Sequence, residues 1–156
     1  MKYLKFLTPV IMLTVITISR AQTTAPTFTD EDLKKYAVAM DSVQDMQEKL
    51  SATLTEMVQK TTVMPVTRYN ELFKIIGDEA KLAEAKATPE EIAFVKEVGA
   101  KRTEENAKIS ATFQALAKEF VGLKAFNAIK KSLATDQALK DKYETISKEI
   151  DAKGGE

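Results

Sequence analysis

A six-residue segment occurs twice in this chain, and its repetition constrains the fold more than any other feature. The segment KLSATL covers residues 49–54 and the segment KISATF covers residues 108–113, so the offset from 49 to 108 is 59 positions, and four of the six residues are identical. Two further pairs of similar segments occur in the same order, at offsets of 59 and 57: TDEDL at 29–33 with TPEEI at 88–92, and YNEL at 69–72 with FNAI at 126–129. Three ordered pairs predict two tandem units of about sixty residues each.

The hydrophobic spacing predicts a long helix followed by a shorter helical return in each unit. Large residues from Leu33 to Met57 recur at steps of three and four, which places them on one stripe of a helix, with Gln47 as the only polar member. A helix of about thirty residues is about 45 Å long, so the return must cover it in two pieces. We expect the first piece to cover the C-terminal half of its own long helix and the second piece, beginning after Asp78 or Thr135, to cover the N-terminal half.

Capping and turn residues predict where the helices begin and end. The start signals are two capping boxes, Thr29 with Asp32 and Thr88 with Glu91, and a capping threonine before the last helix, Thr135. The stop signals are Gly77, expected in the left-handed conformation, and Gly122. The returning helices are expected to bury Val66, Tyr69, Leu72, Phe73 and Ile76 in the first unit and Leu123, Phe126, Ile129 and Leu133 in the second. No strand pattern occurs, so the fold class expected is all-α: a four-helix bundle-like packing of two tandem helical hairpins, with the second helix of each hairpin broken into two pieces.

The N-terminus has the layout of a secretory signal peptide. Lys2 and Lys5 precede an apolar run at residues 6–18, which is shorter than the roughly 20 residues of a membrane span, and Ala21 closes a small-residue cleavage site. We therefore expect the following regions: a signal peptide at 1–21, a flexible leader at 22–28, a single helical domain at 29–151 with repeat units 29–87 and 88–151, and a frayed C-terminus at 152–156. The expected location is the periplasm, with an extracellular location as the alternative and no membrane insertion after signal cleavage.

The composition argues against several classes of function. Without the three basic residues of the signal peptide, 20 basic residues face 23 acidic ones, and a mildly acidic, mixed surface argues against binding to nucleic acid. The chain has no histidine and no cysteine, so it lacks the commonest general base, the thiol nucleophile and the usual zinc ligands. It has neither a glycine-rich phosphate loop nor a calcium-binding loop. We expect no enzymatic activity, no catalytic residue, no metal and no cofactor.

Six polar residues are candidates for a structural or partner-binding role. Asn70 and Asn127 each follow an aromatic residue, and each is expected to bond a neighbouring carbonyl and fix the corner of its hairpin, the alternative being a shared polar site. At the 59-residue offset, three residues of the first unit correspond to more polar ones in the second: Val43, Met46 and Gln47 to Arg102, Glu105 and Asn106. Three alternatives follow: this stretch projects past the core, Arg102 and Glu105 pair at its edge, or it lines a polar groove used by a partner. Because burying an unpaired charge costs several kcal/mol, the first two are favoured.

Short motifs at both ends of the mature chain resemble a known bacterial family. They are FTDEDLKKYAVA at 28–39, VQDMQ at 43–47, FNAI at 126–129 and DQAL at 136–139. The family is the one catalogued as domain of unknown function 4168, which is seen in exported proteins of Gram-negative bacteria. The central portion departs from the family's compact pattern, and the repeat explains this as a second copy in tandem. The resemblance implies export and a helical fold, and it brings no catalytic residues.

These observations predict an exported, non-enzymatic helical domain of the bacterial cell envelope. The function class expected is a structural or protein-binding module, whose partner would be another envelope protein. The alternative is a holdase-like periplasmic chaperone, which requires an exposed apolar concavity.

Overall fold

The computed structural model describes residues 27–154, which form six α-helices and one π-helical segment. The helices are α1 (Asp30–Lys60), α2 (Val66–Phe73), α3 (Glu79–Glu84), α4 (Pro89–Ala115), α5 (Leu123–Leu133) and α6 (Gln137–Gly154), and the π-helical segment (Leu116–Phe120) continues α4. The described part of the chain contains no strand, which confirms the all-α class. The predicted signal peptide at 1–21 and the first five residues of the leader lie outside the described residues.

Two core clusters lie at opposite ends of a long antiparallel pair formed by α1 and α4. The first core cluster consists of Leu54, Met64, Tyr69, Leu72, Leu82, Val95 and Val98. The second core cluster consists of Leu33, Tyr36, Ala117, Phe126 and Ile129. The C-terminal half of α1 thus packs with the N-terminal half of α4, and the N-terminal half of α1 packs with the π-helical segment. This is the expected all-α bundle, in which the return after each long helix is broken into two pieces.

The two capping boxes are present and fix the start of each long helix. The Thr29 hydroxyl accepts the Asp32 N–H at 3.1 Å, and the Asp32 carboxylate accepts the Thr29 N–H at 3.0 Å. Thr88 and Glu91 make the same exchange at 3.2 and 2.9 Å. The last helix differs from the prediction, because the Leu139 N–H is accepted by Asp136 at 3.1 Å, so Asp136 replaces Thr135 as the cap.

The boundaries predicted at the two ends of the domain need correction. Phe28 was assigned to the flexible leader, but it packs against the second core cluster, which contains Leu33. A hydrophobic residue just before the cap that packs near the fourth helical residue is a hydrophobic staple, and it fixes the direction in which the chain enters the helix. At the other end, α6 continues to Gly154, beyond the predicted end at 151.

The second piece of each return covers the long helix of the other unit, which corrects the expected arrangement. Leu82 of α3 belongs to the cluster that contains Val95 and Val98, in the N-terminal half of α4. Leu139 and Tyr143 of α6 pack on the second core cluster with the N-terminal half of α1. The physical reason is the antiparallel pairing, which brings the N-terminal half of one long helix beside the corner of the opposite hairpin.

Several residues expected to be buried are exposed, and one glycine does not have the expected conformation. Val66, Phe73 and Leu123 are exposed, because short helices bury a narrow stripe centred on residues such as Tyr69 and Leu72. Among the described glycines, Gly122 has a positive φ of 87°, whereas the φ of Gly77 is not positive. The chain after α2 instead tightens through N–H to carbonyl bonds from Ile75 to Leu72 and from Asp78 to Ile75, at 3.0 and 2.9 Å. This tightening leaves no left-handed residue there.

A partly buried ion pair joins α2 to the start of α4. The Arg68 guanidinium donates from Nε and Nη2 to the two carboxylate oxygens of Glu91, at 2.9 and 3.1 Å, and Nη2 also donates to the Ala85 carbonyl at 2.9 Å. Because Glu91 also closes the capping box of Thr88, this contact ties the corner before α4 to α2. The bond from Arg68 and the Thr88 N–H lower the pKa of Glu91 below its ordinary value of 4.5.

We expect the Arg68–Glu91 pair to make stability depend on acid pH. Because the pKa of Glu91 is depressed in the folded state, its contribution is fully present above the unfolded value of 4.5 and is lost as the pH falls through the folded pKa. In an Arg68→Met variant the folded pKa moves back toward 4.5, so the free energy of unfolding should fall less between about pH 6 and about pH 3 than in the natural chain. Chemical denaturation at both pH values measures this difference.

The Lys35→Met variant is the matched control for the pH experiment. Lys35 and Glu31 form an exposed pair at 2.9 Å, and exposed pairs contribute little because water screens them. Lys35 is the last and smallest of the causes that lower the pKa of Asp32, so this variant should keep nearly all of the acid dependence of the natural chain. Equal acid dependence in Arg68→Met and the natural chain would show that the pair does not act on stability.

Candidate functional site

The six polar candidates do not converge on one site: four of them are distributed over three grooves, and two line none of these grooves. Gln47 lines a groove between α1 and α6, Asn70 and Arg102 line a groove between α1, α2 and α4, and Glu105 lines a groove between α1 and α4. Asn106 and Asn127 are exposed and line none of these three. We call the groove of Gln47 the acidic groove, the groove of Asn70 and Arg102 the Tyr69 groove, and the groove of Glu105 the central groove.

The acidic groove has a volume of about 770 Å³, within the range of roughly 300–1,000 Å³ found for ligand sites. Its apolar lining comes from Ala37, Met40, Val43, Tyr143 and Ile150, and its polar lining from Asp41, Gln44, Asp45, Gln47, Glu48 and Ser147. The three carboxylates follow one another on α1 at steps of four and three, so they lie on the same face of the helix. The groove therefore presents negative charge above an apolar strip.

The Tyr69 groove is smaller, about 260 Å³, and carries no acidic residue in its lining. Its lining consists of Ser51, Leu54, Thr55, Val58, Gln59, Val66, Tyr69, Asn70 and Arg102. The Arg102 guanidinium lies over the Phe73 ring at 5.0 Å from the centroid, and the Tyr69 ring stacks on the same Phe73 ring at 5.8 Å. The guanidinium and the two rings thus form one stack at the edge of the groove.

The Tyr69 hydroxyl is buried and, among the described residues, has no hydrogen-bond partner. The Tyr69 residue is 5% exposed. Burial raises the pKa of Tyr69 above its ordinary value of 10, and the positive charge of Arg102 opposes that rise. The hydroxyl therefore stays protonated at neutral pH and can donate a hydrogen bond.

At the central groove, Glu105 belongs to a cluster of ion pairs that does not include Arg102. Glu105 accepts from Lys101 at 3.0 Å and from Lys108 at 2.9 Å, and Lys108 also contacts Glu104 at 2.7 Å. The carboxylates of Glu104 and Glu105 raise the pKa of Lys108 to about 12. Arg102 instead turns toward the aromatic face on α2. The pair between Arg102 and Glu105, one of the three alternatives for this stretch, is therefore not formed.

The corner-fixing role predicted for Asn70 and Asn127 is also wrong. Both residues are exposed, and within the described part of the chain neither side chain makes a hydrogen bond. The reason is their place on the helix, because Tyr69 and Phe126, one residue earlier, take the inward position about 100° away. At the first corner, residues 61–65 between α1 and α2, the Thr61 hydroxyl instead accepts the Val63 N–H at 3.2 Å.

Two features of the grooves were missed by the sequence reasoning. Tyr69 was assigned to the core, and nothing in the sequence shows that its hydroxyl is left without a partner. The carboxylates of Asp41, Asp45 and Glu48 could have been found, because steps of four and three predict a common helix face.

Within residues 27–154, no group of acidic side chains is placed to hold a metal ion. No helix in that part of the chain is long and apolar enough to span a membrane. No family model, no curated protein and no solved structure matches the sequence. The resemblance to the envelope family thus stays a prediction that depends on its short motifs.

Proposed function

We propose that this protein is an exported, non-enzymatic helical module of the bacterial cell envelope that binds another envelope protein. The observation that carries the binding role is the acidic groove, an open surface with an apolar strip and three carboxylates on one helix face. Its chemistry suits a basic amphipathic segment, whose apolar side would contact Met40 and Tyr143 and whose cations would face the carboxylates.

The export part of the proposal is supported by the signal-type N-terminus and by the family resemblance. We expect the protein in the envelope fraction to begin at Gln22, because cleavage after Ala21 follows the small-residue site. Intact-mass analysis of the fractionated protein measures this directly. A mass that still includes Met1 in the envelope fraction would contradict the prediction.

The binding part is tested by reversing charge in the acidic groove. We expect Asp45→Lys combined with Glu48→Lys to reduce capture of the principal partner from envelope extract by at least about tenfold, since like charges would then face each other. The matched control is Glu97→Lys with Glu144→Lys, which reverses two exposed carboxylates outside the groove and should capture as the natural chain does. Equal losses in both double variants would show non-specific electrostatics and refute the assignment of the groove.

We also propose that the two units are copies of one ancestral unit. Residues at the two offsets take matching places in the two core clusters: Leu54 and Phe113, Tyr69 and Phe126, Leu72 and Ile129, Leu82 and Leu139, and Val95 and Tyr36. The first corner, at residues 61–65, is longer than the second, at residues 121–122, as the drop in offset from 59 to 57 predicts. These correspondences support the duplication more strongly than a shared helical stripe would.

A holdase-like chaperone is the second candidate, and exposed apolar side chains at both corners favour it. Val63, Val66 and Phe73 are exposed near the first corner, and Phe120 and Leu123 are exposed at the second. A holdase should suppress aggregation of an unfolded client at equimolar ratio, and Leu123→Lys should weaken that suppression. The absence of suppression would leave the partner-binding module as the better proposal.

A further inference from the structure

We infer that the Tyr69 groove binds a small amphipathic anion. Its head group would accept hydrogen bonds from the Tyr69 hydroxyl and the Arg102 guanidinium, and its apolar part would lie on Leu54, Val58 and Val66. This groove is separate from the acidic groove, so the inference does not depend on the proposed protein partner.

The first support is the buried hydroxyl of Tyr69. A buried donor without a partner destabilises the folded state, and native proteins satisfy nearly all such groups. Phenylalanine would fill the same space between Phe73 and Phe94 without that cost. A donor kept at this position is explained when a bound acceptor completes its hydrogen bond.

The second support is the charge of the lining. Arg102 is the charged residue in the lining of the Tyr69 groove, and it makes no ion pair within the described residues. Its guanidinium lies on the Phe73 ring, on which the Tyr69 ring also stacks, and Arg102 and Tyr69 line the same groove. Asn70, also in the lining, adds an amide that can donate.

The third support is a difference between the two units. At the offsets of 57 and 59, the residues that correspond to Tyr69 and Arg102 are Phe126 and Val43. Phe126 takes the place of Tyr69 in the second core cluster, so packing there does not require the hydroxyl. The donor set is therefore particular to the first corner, which is expected of a site and not of a packing requirement.

The size of the groove limits the ligand. A volume of about 260 Å³ is slightly below the usual range for drug-sized ligands, roughly 300–1,000 Å³. A carboxylate with a short alkyl chain fits this volume and the lining. Sodium octanoate is the probe we choose, with octylamine as the cation of equal length and acetate as the head group without the chain.

The experiment is a titration followed by amide and side-chain NMR shifts. We expect octanoate to bind with a dissociation constant of about 1 mM or tighter, and to shift the Asn70 side-chain amide and the Arg102 Nε–H. Octylamine and acetate should bind at least about tenfold more weakly, since each lacks one of the two parts.

Three variants separate a binding role from a structural one. Arg102→Gln should weaken octanoate binding by about tenfold or more, whereas Lys101→Gln, which removes the same charge from the neighbouring central groove, should change it less than about twofold. Tyr69→Phe should weaken binding by about three- to tenfold while the denaturation midpoint stays equal or rises. A structural role alone would lower the midpoint and leave the affinity unchanged.

The inference fails if octanoate gives no saturable shift at the Tyr69 groove. It also fails if octylamine binds equally well, because this would indicate apolar contact alone. Shifts that map to the acidic groove, or equal losses in the Arg102→Gln and Lys101→Gln variants, would likewise overturn it. None of these results bears on export or on partner capture, so the proposed function is tested separately.

Discussion

Replacing Leu72 or Ile129 with alanine is expected to lower the free energy of unfolding by about 3 kcal/mol in each case. Both side chains have no exposed surface, and each lies in the middle of one core cluster. Truncation of a fully buried Leu or Ile removes apolar contact and leaves a cavity, which typically costs roughly 2–5 kcal/mol. Urea denaturation of the two single variants measures the loss.

The matched control for these two variants is Leu123→Ala. It removes the same atoms as Leu72→Ala, but Leu123 is 56% exposed, so the loss should stay below about 1 kcal/mol. The loss in the double variant Leu72→Ala with Ile129→Ala should equal the sum of the losses in the two single variants within about 0.5 kcal/mol, because the two residues belong to separate clusters. A larger coupling would show that the clusters act as one core.

Replacing Gly122 with alanine is expected to destabilise the protein by about 1–3 kcal/mol. Gly122 has φ 87° and ψ 121°, which side chains with a Cβ rarely adopt, although no atom lies within 4 Å of the position of an added Cβ. The loss would therefore arise from the backbone and not from a clash. The measurement is again the free energy of unfolding from denaturation.

The chain offers a control for this prediction in Gly99. Gly99 lies inside α4 and also has open space around an added Cβ. Because alanine is favoured over glycine in a helix interior, Gly99→Ala should raise stability by roughly 0.5–1 kcal/mol. If Gly122→Ala raised stability as Gly99→Ala does, the turn at Gly122 would not require its positive φ.

The parts of the fold that follow from local chemistry were predicted correctly from the sequence. The starts of α1 and α4 are set by Thr29 and Thr88, whose capping boxes involve residues only three positions apart. The inward stripe of α1, including Leu33 and Leu54, follows from helical periodicity. Such features depend on neighbours along the chain, so the sequence contains them directly.

The packing of α3 on α4 and of α6 on α1 could not be predicted, because it depends on the direction in which the two long helices pair. An amphipathic stripe shows which face is buried and not which helix buries it. Residues such as Leu82 and Leu139 fit either long helix by spacing alone. The antiparallel pairing of α1 with α4 decides between them.

Sequence patterns located only some residues of the Tyr69 groove, because the other features depend on contacts between helices. Asn70 was chosen because it follows an aromatic residue and Arg102 because it stands where the first unit has Val43, and both line the Tyr69 groove. The hydroxyl of Tyr69 was missed because its lack of a partner depends on contacts among α1, α2 and α4. The contact of Arg102 with Phe73 spans two helices and has no signature in either segment.

The distribution of the two clusters along the chain also sets an order for folding. The first core cluster is complete once residues up to Val98 have been synthesised, because all its members lie between Leu54 and Val98. The second requires residues 28–40 to meet residues 113–146, and the ion pair of Asp30 with Lys142 joins positions 112 residues apart. Closing the longer loop costs more chain entropy, so local contacts form first. We therefore expect the N-terminal part of the α1 stripe, which contains Leu33 and Tyr36, to be covered last and to stay open longest to proteases and to aggregation.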